Sequence, residues 1–256
     1  MSRKFYIENN DNLITGQVIS LAGDEFNHIV NVSRKRVDDV LQMIDGNGND
    51  VSAQITSINK KDLSLKIVNI KPSVAETTND VTVFQALVKG DKFELITQKL
   101  TELGVKKIVP FSSEFCQVKP NTTRLDRLEK ISIEALKQCG RAKKVEIDSV
   151  NSFNQMLGNL SNYDIVLFAY ENASENLSQK VFENPQKQPL SVALIIGSEG
   201  GFSQGEVSQI LSQKNVKIVS MGKRILRAET ASIALSSVVM FLLNEWRVWK
   251  KKKFVF

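Results

Sequence analysis

Two glycine-bearing segments toward the C-terminal end each join an apolar, strand-like run to a helix. They restrict the fold more than any other feature of the chain. The first reads Leu194-Ile195-Ile196-Gly197-Ser198-Glu199-Gly200-Gly201-Phe202-Ser203-Gln204-Gly205-Glu206. Its apolar run ends at Ile196, and glycines at that point let backbone approach a ligand closely. Ser203 with Glu206 three residues later forms a capping box, and Phe202 with Val207 a hydrophobic staple, so a helix starts there and pins the far end of the loop. The second reads Val219-Ser220-Met221-Gly222-Lys223-Arg224-Ile225-Leu226-Arg227-Ala228-Glu229-Thr230-Ala231-Ser232. It too passes from strand through a glycine turn into a helix, continued by the apolar Ile233, Leu235, Val238, Val239 and Leu242. The N-terminus of such a helix favours an anionic group.

Upstream, the apolar runs Val81–Leu87, Lys107–Phe111, Asp164–Ala169, Val192–Ile196 and Val216–Ser220 alternate with helical segments. Alternation of this kind implies an α/β domain built on a mostly parallel sheet. One helix is expected from about Asp91, where Asp91-x-x-Glu94 resembles a capping box, burying Phe93, Ile96, Leu100 and Leu103 and stopping at Gly104. A second is expected from about Thr123 to Cys139, ahead of Gly140. Residues 1–71 differ. Short β-like runs (Phe5–Ile7, Gln17–Ile19, Val40–Ile44, Val51–Ile58 and Leu63–Ile70), broken by one helix at about Asp24–Ser33, predict a small β-barrel. Residues 72–80 read as a polar linker and 81–256 as the α/β domain.

Composition excludes several function classes. The N-terminus has no apolar signal region, and the most apolar stretch, Ile233–Leu243, is too short to span a bilayer, so no membrane association is expected. With one histidine and two cysteines outside any CxxC, neither a metal site nor a His-based triad is expected. Two unpaired cysteines fit a reducing cytoplasm. Neither GxxxxGK[ST] nor an early GxGxxG occurs, which removes P-loop and dinucleotide-binding readings. The net charge of +6 is unevenly placed. Residues 86–144 hold 13 Lys/Arg against 7 Asp/Glu, and residues 217–256 hold 9 against 2. Such basic blocks attract a polyanion such as RNA, whereas charge alone is equally compatible with solvated faces. The tail Lys250–Lys253 reads as a solvated terminus.

Taken together, "IIGSEGGFSQGEV" and "MGKRILRAETAS" resemble the paired signature of the RsmE family, SPOUT-type methyltransferases that modify N3 of a uridine in 16S rRNA. "FNHIVNVSR" (Phe26–Arg34), "ALVKGDKFELITQKLTELGVKKIVP" (Ala86–Pro110) and "EALKQCGRAKK" (Glu134–Lys144) are similar to further family segments, so the resemblance covers about Phe5 to Leu243. Ser198 stands where the family usually has proline.

The resemblance implies an N-terminal PUA-like β-barrel, a C-terminal trefoil-knotted α/β domain, a homodimer and S-adenosylmethionine as cofactor. The cofactor is then expected at the end of the 165–170 strand (Leu167, Ala169, Glu171), at Ile196, Gly197, Glu199 and Gly200, and at Ser220, Met221, Gly222, Ile225, Leu226 and Ala231. The substrate is expected to be 16S rRNA within the 30S subunit. A guanidinium beside the acceptor ring would stabilise charge developing on its oxygens, with Arg227 and then Arg224 as candidates. The alternative is that one of these arginines pairs with Glu199 or Glu229. RNA contacts are expected at His28, Arg34, Lys35, Arg36, Lys89, Lys92 and Arg141. Ribose methylation, or a non-catalytic role in ribosome assembly, are the rival readings.

Overall fold

The computed structural model describes residues 4–8, 12–120, 124–171, 173, 179–182 and 189–246. The chain forms two compact units, Met1–Glu76 with Arg124–Glu146, and Thr77–Thr123 with Ile147–Phe256. The first unit is thus discontinuous in sequence, where the amino-acid pattern suggested a single cut near residues 72–80.

In the first unit, β1 (Phe5–Tyr6), β2 (Val18–Ala22), β3 (Val40–Ile44), β4 (Asn49–Ile58) and β5 (Asp62–Pro72) form a curled half-barrel in the order β1-β3-β4-β5-β2. Only the β1–β3 pair is parallel. Side chains alternate as the pleat requires. In β2, Ile19 and Leu21 turn inward while Val18 and Ser20 are exposed. Ile55, Leu63, Leu65 and Ile67 are fully buried at the centre. The helix expected at Asp24–Ser33 divides into α1 (Gly23–Asn27) and a π-type turn over His28–Val32, closed by Ser33 N–H donating to the His28 carbonyl at 2.8 Å.

Helix α3 (Leu125–Cys139) belongs to this unit because its C-terminal end is tied to the sheet. Leu136 and Ala142 pack with Ile44 and Tyr6. The Lys4 ammonium donates to Asp50 and to the Gly140 carbonyl, both at 2.5 Å. Lys137, buried, pairs with Glu25 and Glu134. Arg141 is 4% exposed, and its Nε and Nη2 donate to Glu76 Oε2 at 3.1 and 3.0 Å. The other Glu76 oxygen accepts from Ala142 N–H and Lys143 N–H at 2.6 and 2.9 Å.

In the second unit, β6 (Asp80–Ala86), β7 (Lys107–Ser112), β10 (Ile165–Ala169), β11 (Ser191–Ile196) and β12 (Val216–Val219) are parallel neighbours in the order β12-β10-β11-β6-β7. Two short strands, β8 (Glu146–Ile147) and β9 (Asn151–Ser152), follow β7 in the chain, and β9 pairs with β7. Strands buried on both faces read as continuous apolar runs, as β6 and β11 do. Helices α2 (Lys92–Leu103) and α6 (Ala228–Leu242) pack together, while α4 (Phe153–Asn159) and α5 (Gln204–Leu211) complete the layers.

Two expectations change here. Asp91 makes no side-chain cap, because its backbone (φ −81°, ψ 7°) is not the extended conformation that turns a capping oxygen toward the first N–H groups. The 72–80 segment is not a free linker. Pro72 ends β5, and Glu245 accepts hydrogen bonds from Thr78 N–H (3.0 Å) and Asn79 N–H (2.8 Å). The tail 247–256 and the Thr123 helix start lie outside the described residues. Among the described residues no helix is long and apolar enough to cross a membrane.

Removing one partner of a buried ion pair leaves an uncompensated charge. Arg141→Ala is therefore expected to lower stability by about 3–5 kcal/mol in urea denaturation.

Candidate functional site

Strands β10, β11 and β12 all end at the same edge of the parallel sheet, and ligands in open α/β sheets bind outside such carboxyl ends. A cavity of about 370 Å³ lies there, lined by Ala169, Tyr170 and Glu171, by the run Ile196–Phe202, and by Met221, Gly222, Arg224–Ala228 and Ala231. Its volume suits a small organic ligand.

The 197–203 loop is preorganised. Ser203 Oγ accepts from Glu206 N–H at 3.3 Å, and Glu206 Oε2 accepts from Ser203 N–H at 3.0 Å, closing the expected capping box. The second Glu206 oxygen accepts from Glu114 N–H at 2.8 Å, so one buried carboxylate joins this loop to the turn after β7. Phe202 enters the sheet core, edge-on to Phe168 at 5.1 Å and stacked on Phe111 at 6.2 Å. The glycines are required sterically. A Cβ on Gly197 would meet the Phe202 ring at 2.9 Å, and one on Gly200 would meet Phe115 Cβ and carbonyl oxygen at 2.8 Å. Beneath the loop, buried Gln85 donates to the Gly197 carbonyl at 3.4 Å. The 220–227 loop turns at Gly222, whose φ of 96° suits glycine, and Ser220 Oγ accepts from Gly222 N–H at 3.2 Å.

Around Glu199 the charges are paired. Lys92 Nζ donates to Glu199 Oε1 at 2.6 Å and stands 3.9 Å from Glu229 Oε2. Lys89 N–H also donates to Glu199, at 3.3 Å. Burial alone would raise the Glu199 pKa. The Lys92 hydrogen bond, the backbone N–H groups of Glu199 and Lys89, and the Lys92 charge outweigh it and hold the carboxyl below its ordinary value. Arg224 and Arg227 are exposed and form no ion pair among the described residues, so neither takes the Glu199 or Glu229 pairing weighed above. Ser198 Oγ and Glu229 Oε2 are buried with no hydrogen-bond partner among the described residues. Glu229 Oε2 still faces the Lys92 charge, whereas Ser198 Oγ, on a residue that lines the cavity, fits a polar ligand.

Of the thirteen expected cofactor positions, eleven line this cavity; Leu167 and Ser220 do not. Leu167 is fully buried inside β10, and Ser220 shapes the turn. Tyr170, Ser198, Gly201, Phe202 and Ala228 line the cavity without having been singled out. The last four lie inside the two quoted motifs, so their positions were available. For Tyr170, the signal was its place directly after β10.

The expected RNA-contact residues are divided between the two units. His28 packs edge-on to Phe5 at 5.3 Å. Arg34 and Arg36 are exposed and Lys35 half-buried, with Arg34 at a φ of 52°. Lys89 is exposed, whereas Lys92 is engaged with Glu199. Arg141 is corrected: a guanidinium buried against Glu76 is a structural tie and offers nothing to a phosphate. Among the described residues no group of three or more His, Cys, Asp or Glu is placed to hold a metal.

Comparisons with known proteins agree with this geometry. Residues 75–240 match the model of an RNA methyltransferase domain, and residues 21–68 that of an RNA methyltransferase PUA domain. Ribosomal RNA small subunit methyltransferase E of Rickettsia conorii is 32% identical over 91% of this chain and 93% of its own length. The Bacillus subtilis protein of the same name is 30% identical over 93% and 96%. Among solved structures, methyltransferase E of Neisseria gonorrhoeae bound to S-adenosyl methionine superposes with a TM-score of 0.83 at 28% identity, over 94% of this chain and 98% of that one. A Legionella pneumophila putative methyltransferase in complex with the same cofactor gives 0.80 at 29% identity, over 94% and 98%.

The Glu199–Lys92 tie has a pH signature. A carboxyl held below its unfolded pKa contributes stability that is present above the unfolded value and lost as pH falls through the folded one. The stability gap between the wild type and Lys92→Met, no more than about 1 kcal/mol for a partly exposed pair, should hold at neutral pH. It should shrink as acid passes through and below the ordinary carboxylate range in calorimetric scans.

Proposed function

Because this chain belongs to the ribosomal RNA small subunit methyltransferase E family, we propose that it uses S-adenosylmethionine to methylate N3 of one uridine in 16S rRNA. The observation that carries the reading is the single cavity shared by the Gly197–Gly201 and Met221–Ala231 loops at the carboxyl ends of β10, β11 and β12. Backbone groups of Met221, Gly222, Ile225 and Leu226 would hold the adenine, and Ile196, Leu226 and Ala231 would supply apolar walls. Glu199, Gly200 and Glu171 border the polar end. When bound, the cofactor would supply an electrophilic methyl group carried on a sulfonium.

The protein's share is placement and electrostatics. A fixed loop holds the reacting atoms in line, and proximity of this kind removes much of the barrier. Uridine N3 gives up its proton to solvent before or during attack, and negative charge spreads onto O2 and O4. Arg227 and Arg224 stabilise that charge, and neither has an ion-pair partner among the described residues, which leaves the guanidiniums available. Glu199 is a poor base, since Lys92 holds it ionised with low proton affinity. Arg34, Lys35, Arg36 and Lys89 engage phosphates of the 30S particle in the cytoplasm, where the free cysteines Cys116 and Cys139 stay reduced.

The trefoil knot is part of the same reading, supported by the chain's membership of the family. A homodimer is supported by Phe241 and Trp246, 63% and 52% exposed and edge-on to each other, next to exposed Val238 on α6. Phe241→Asp is expected to shift the protein to monomer in sedimentation velocity.

The assay is labelled S-adenosylmethionine with 30S subunits from cells lacking the activity, followed by nucleoside mass spectrometry. The expected product is 3-methyluridine in 16S rRNA, whereas label on a ribose or another base discards the assignment. Arg227→Ala should lower kcat by about 10²–10³-fold with unchanged cofactor affinity by calorimetry.

A further inference from the structure

The turn after β7 carries a feature that the cofactor cavity does not use. Ser113, Glu114, Phe115 and Cys116 form a tight turn, with Cys116 N–H donating to the Ser113 carbonyl at 3.1 Å. The turn is fixed at three points. Glu114 N–H donates to buried Glu206 at 2.8 Å. The Cys116 thiol donates to the Leu87 carbonyl at 3.6 Å and lies 3.2 Å from Ser113 Oγ. Phe115 rests its Cβ and carbonyl oxygen against Gly200, so closely that a methyl group there would stand 2.8 Å from both. A rigid turn abutting the cavity loop thus carries a phenyl ring that is 45% exposed and stacks on no other aromatic side chain among the described residues.

A large apolar ring held in water on a rigid support is a cost that folding does not require, since Phe115 takes no part in the core around Phe111, Phe168 and Phe202. Gly200, which it abuts, is itself exposed and lines the cavity. The cavity is also lined by the exposed cations Arg224 and Arg227. An aromatic ring on the turn that abuts the cavity loop at Gly200, and guanidiniums that line the cavity with no ion pair among the described residues, form the pairing that grips an unstacked nucleotide, the ring taking the base and the cations its charge. A base methylated at a ring nitrogen must leave its stack to reach the methyl donor.

We propose that Phe115 is a stacking platform for a base of the RNA substrate, the acceptor uridine or its immediate neighbour, at the mouth of the cofactor cavity. This rests on the methyltransferase reading above. It adds a substrate-binding residue on the β7 turn, outside both glycine loops. Stacking on a π-face is largely indifferent to which base is bound, so Phe115 contributes to holding the flipped nucleotide, and choice of uridine falls to the groups that meet its edge.

The test compares the wild type with Phe115→Ala, Phe115→Leu and Phe115→Trp on unmethylated 30S subunits, with cofactor affinity and thermal stability measured in parallel. Phe115→Ala and Phe115→Leu are expected to lower kcat/KM for the RNA roughly tenfold to a hundredfold, mainly through KM. Phe115→Trp should stay near wild type, and its added indole fluorescence should be quenched when RNA binds. Cofactor affinity and melting temperature should be unchanged in all three. Wild-type activity in Phe115→Leu would overturn the proposal, because an apolar side chain without a π-face would then suffice. So would a loss in Phe115→Ala that follows cofactor affinity, since the residue would then act only on the loop. A wild type that methylates no 30S RNA while binding cofactor would overturn the underlying reading, and the proposal with it.

Discussion

The buried carboxylate of Glu206 is the contact on which the site depends. One oxygen closes the capping box that starts α5, and the other accepts from the turn after β7, a segment 92 positions earlier in the chain. A carboxylate in that place satisfies N–H groups that would otherwise be buried without a partner, and it fixes two loops relative to each other with one side chain. Phe202, next to the cap, fastens the same loop to the aromatic centre of the sheet. Gly197 holds no side chain because the Phe202 ring has taken the space, and Gly200 none because Phe115 has. The loop is therefore rigid before a ligand arrives, and little ordering is left to oppose binding.

Electrostatics divide the charged residues by task. Lys92 lies between Glu199 and Glu229 and neutralises the acidic side of the cavity loops. Arg224 and Arg227 line the same cavity and form no ion pair among the described residues. In the other unit, Lys137 and Arg141 are nearly buried and are used up in holding α3. Counting cations in a basic block therefore overstates what is offered to a polyanion.

Much of this was legible in the residues. The β11–α5 junction is the clearest case, because capping and staple chemistry is local and sequence spacing reports it directly. Most strands of both units were read to within two residues for the same reason: alternation or continuous apolarity follows from burial on one face or two, while β2 runs three residues past Ile19 and the two-residue β8 and β9 are too short to show either pattern. What could not be read was set by distance along the chain. Asp91-x-x-Glu94 has the spacing of a capping box, yet Asp91 takes a different backbone conformation. Arg141 sits in a basic run and looked solvent-facing until Glu76, 65 positions away, was found against it. Lys92 met Glu199 across 107 positions in the same way. No local pattern marks such partners.

The insertion of Arg124–Glu146 into the first unit bears on how the chain is made. The half-barrel strands are complete by Pro72, but Leu136, Lys137 and Arg141 are not yet synthesised, and Ile44, Glu25 and Glu76 wait for them. Domains usually fold as units while still emerging from the ribosome. Here the N-terminal unit cannot close until about residue 146 has emerged, by which time β6 and β7 of the other unit are already available. The two units therefore mature in an interleaved order, and a truncation after the last barrel strand would leave the Glu25 carboxylate on the half-barrel without its Lys137 partner.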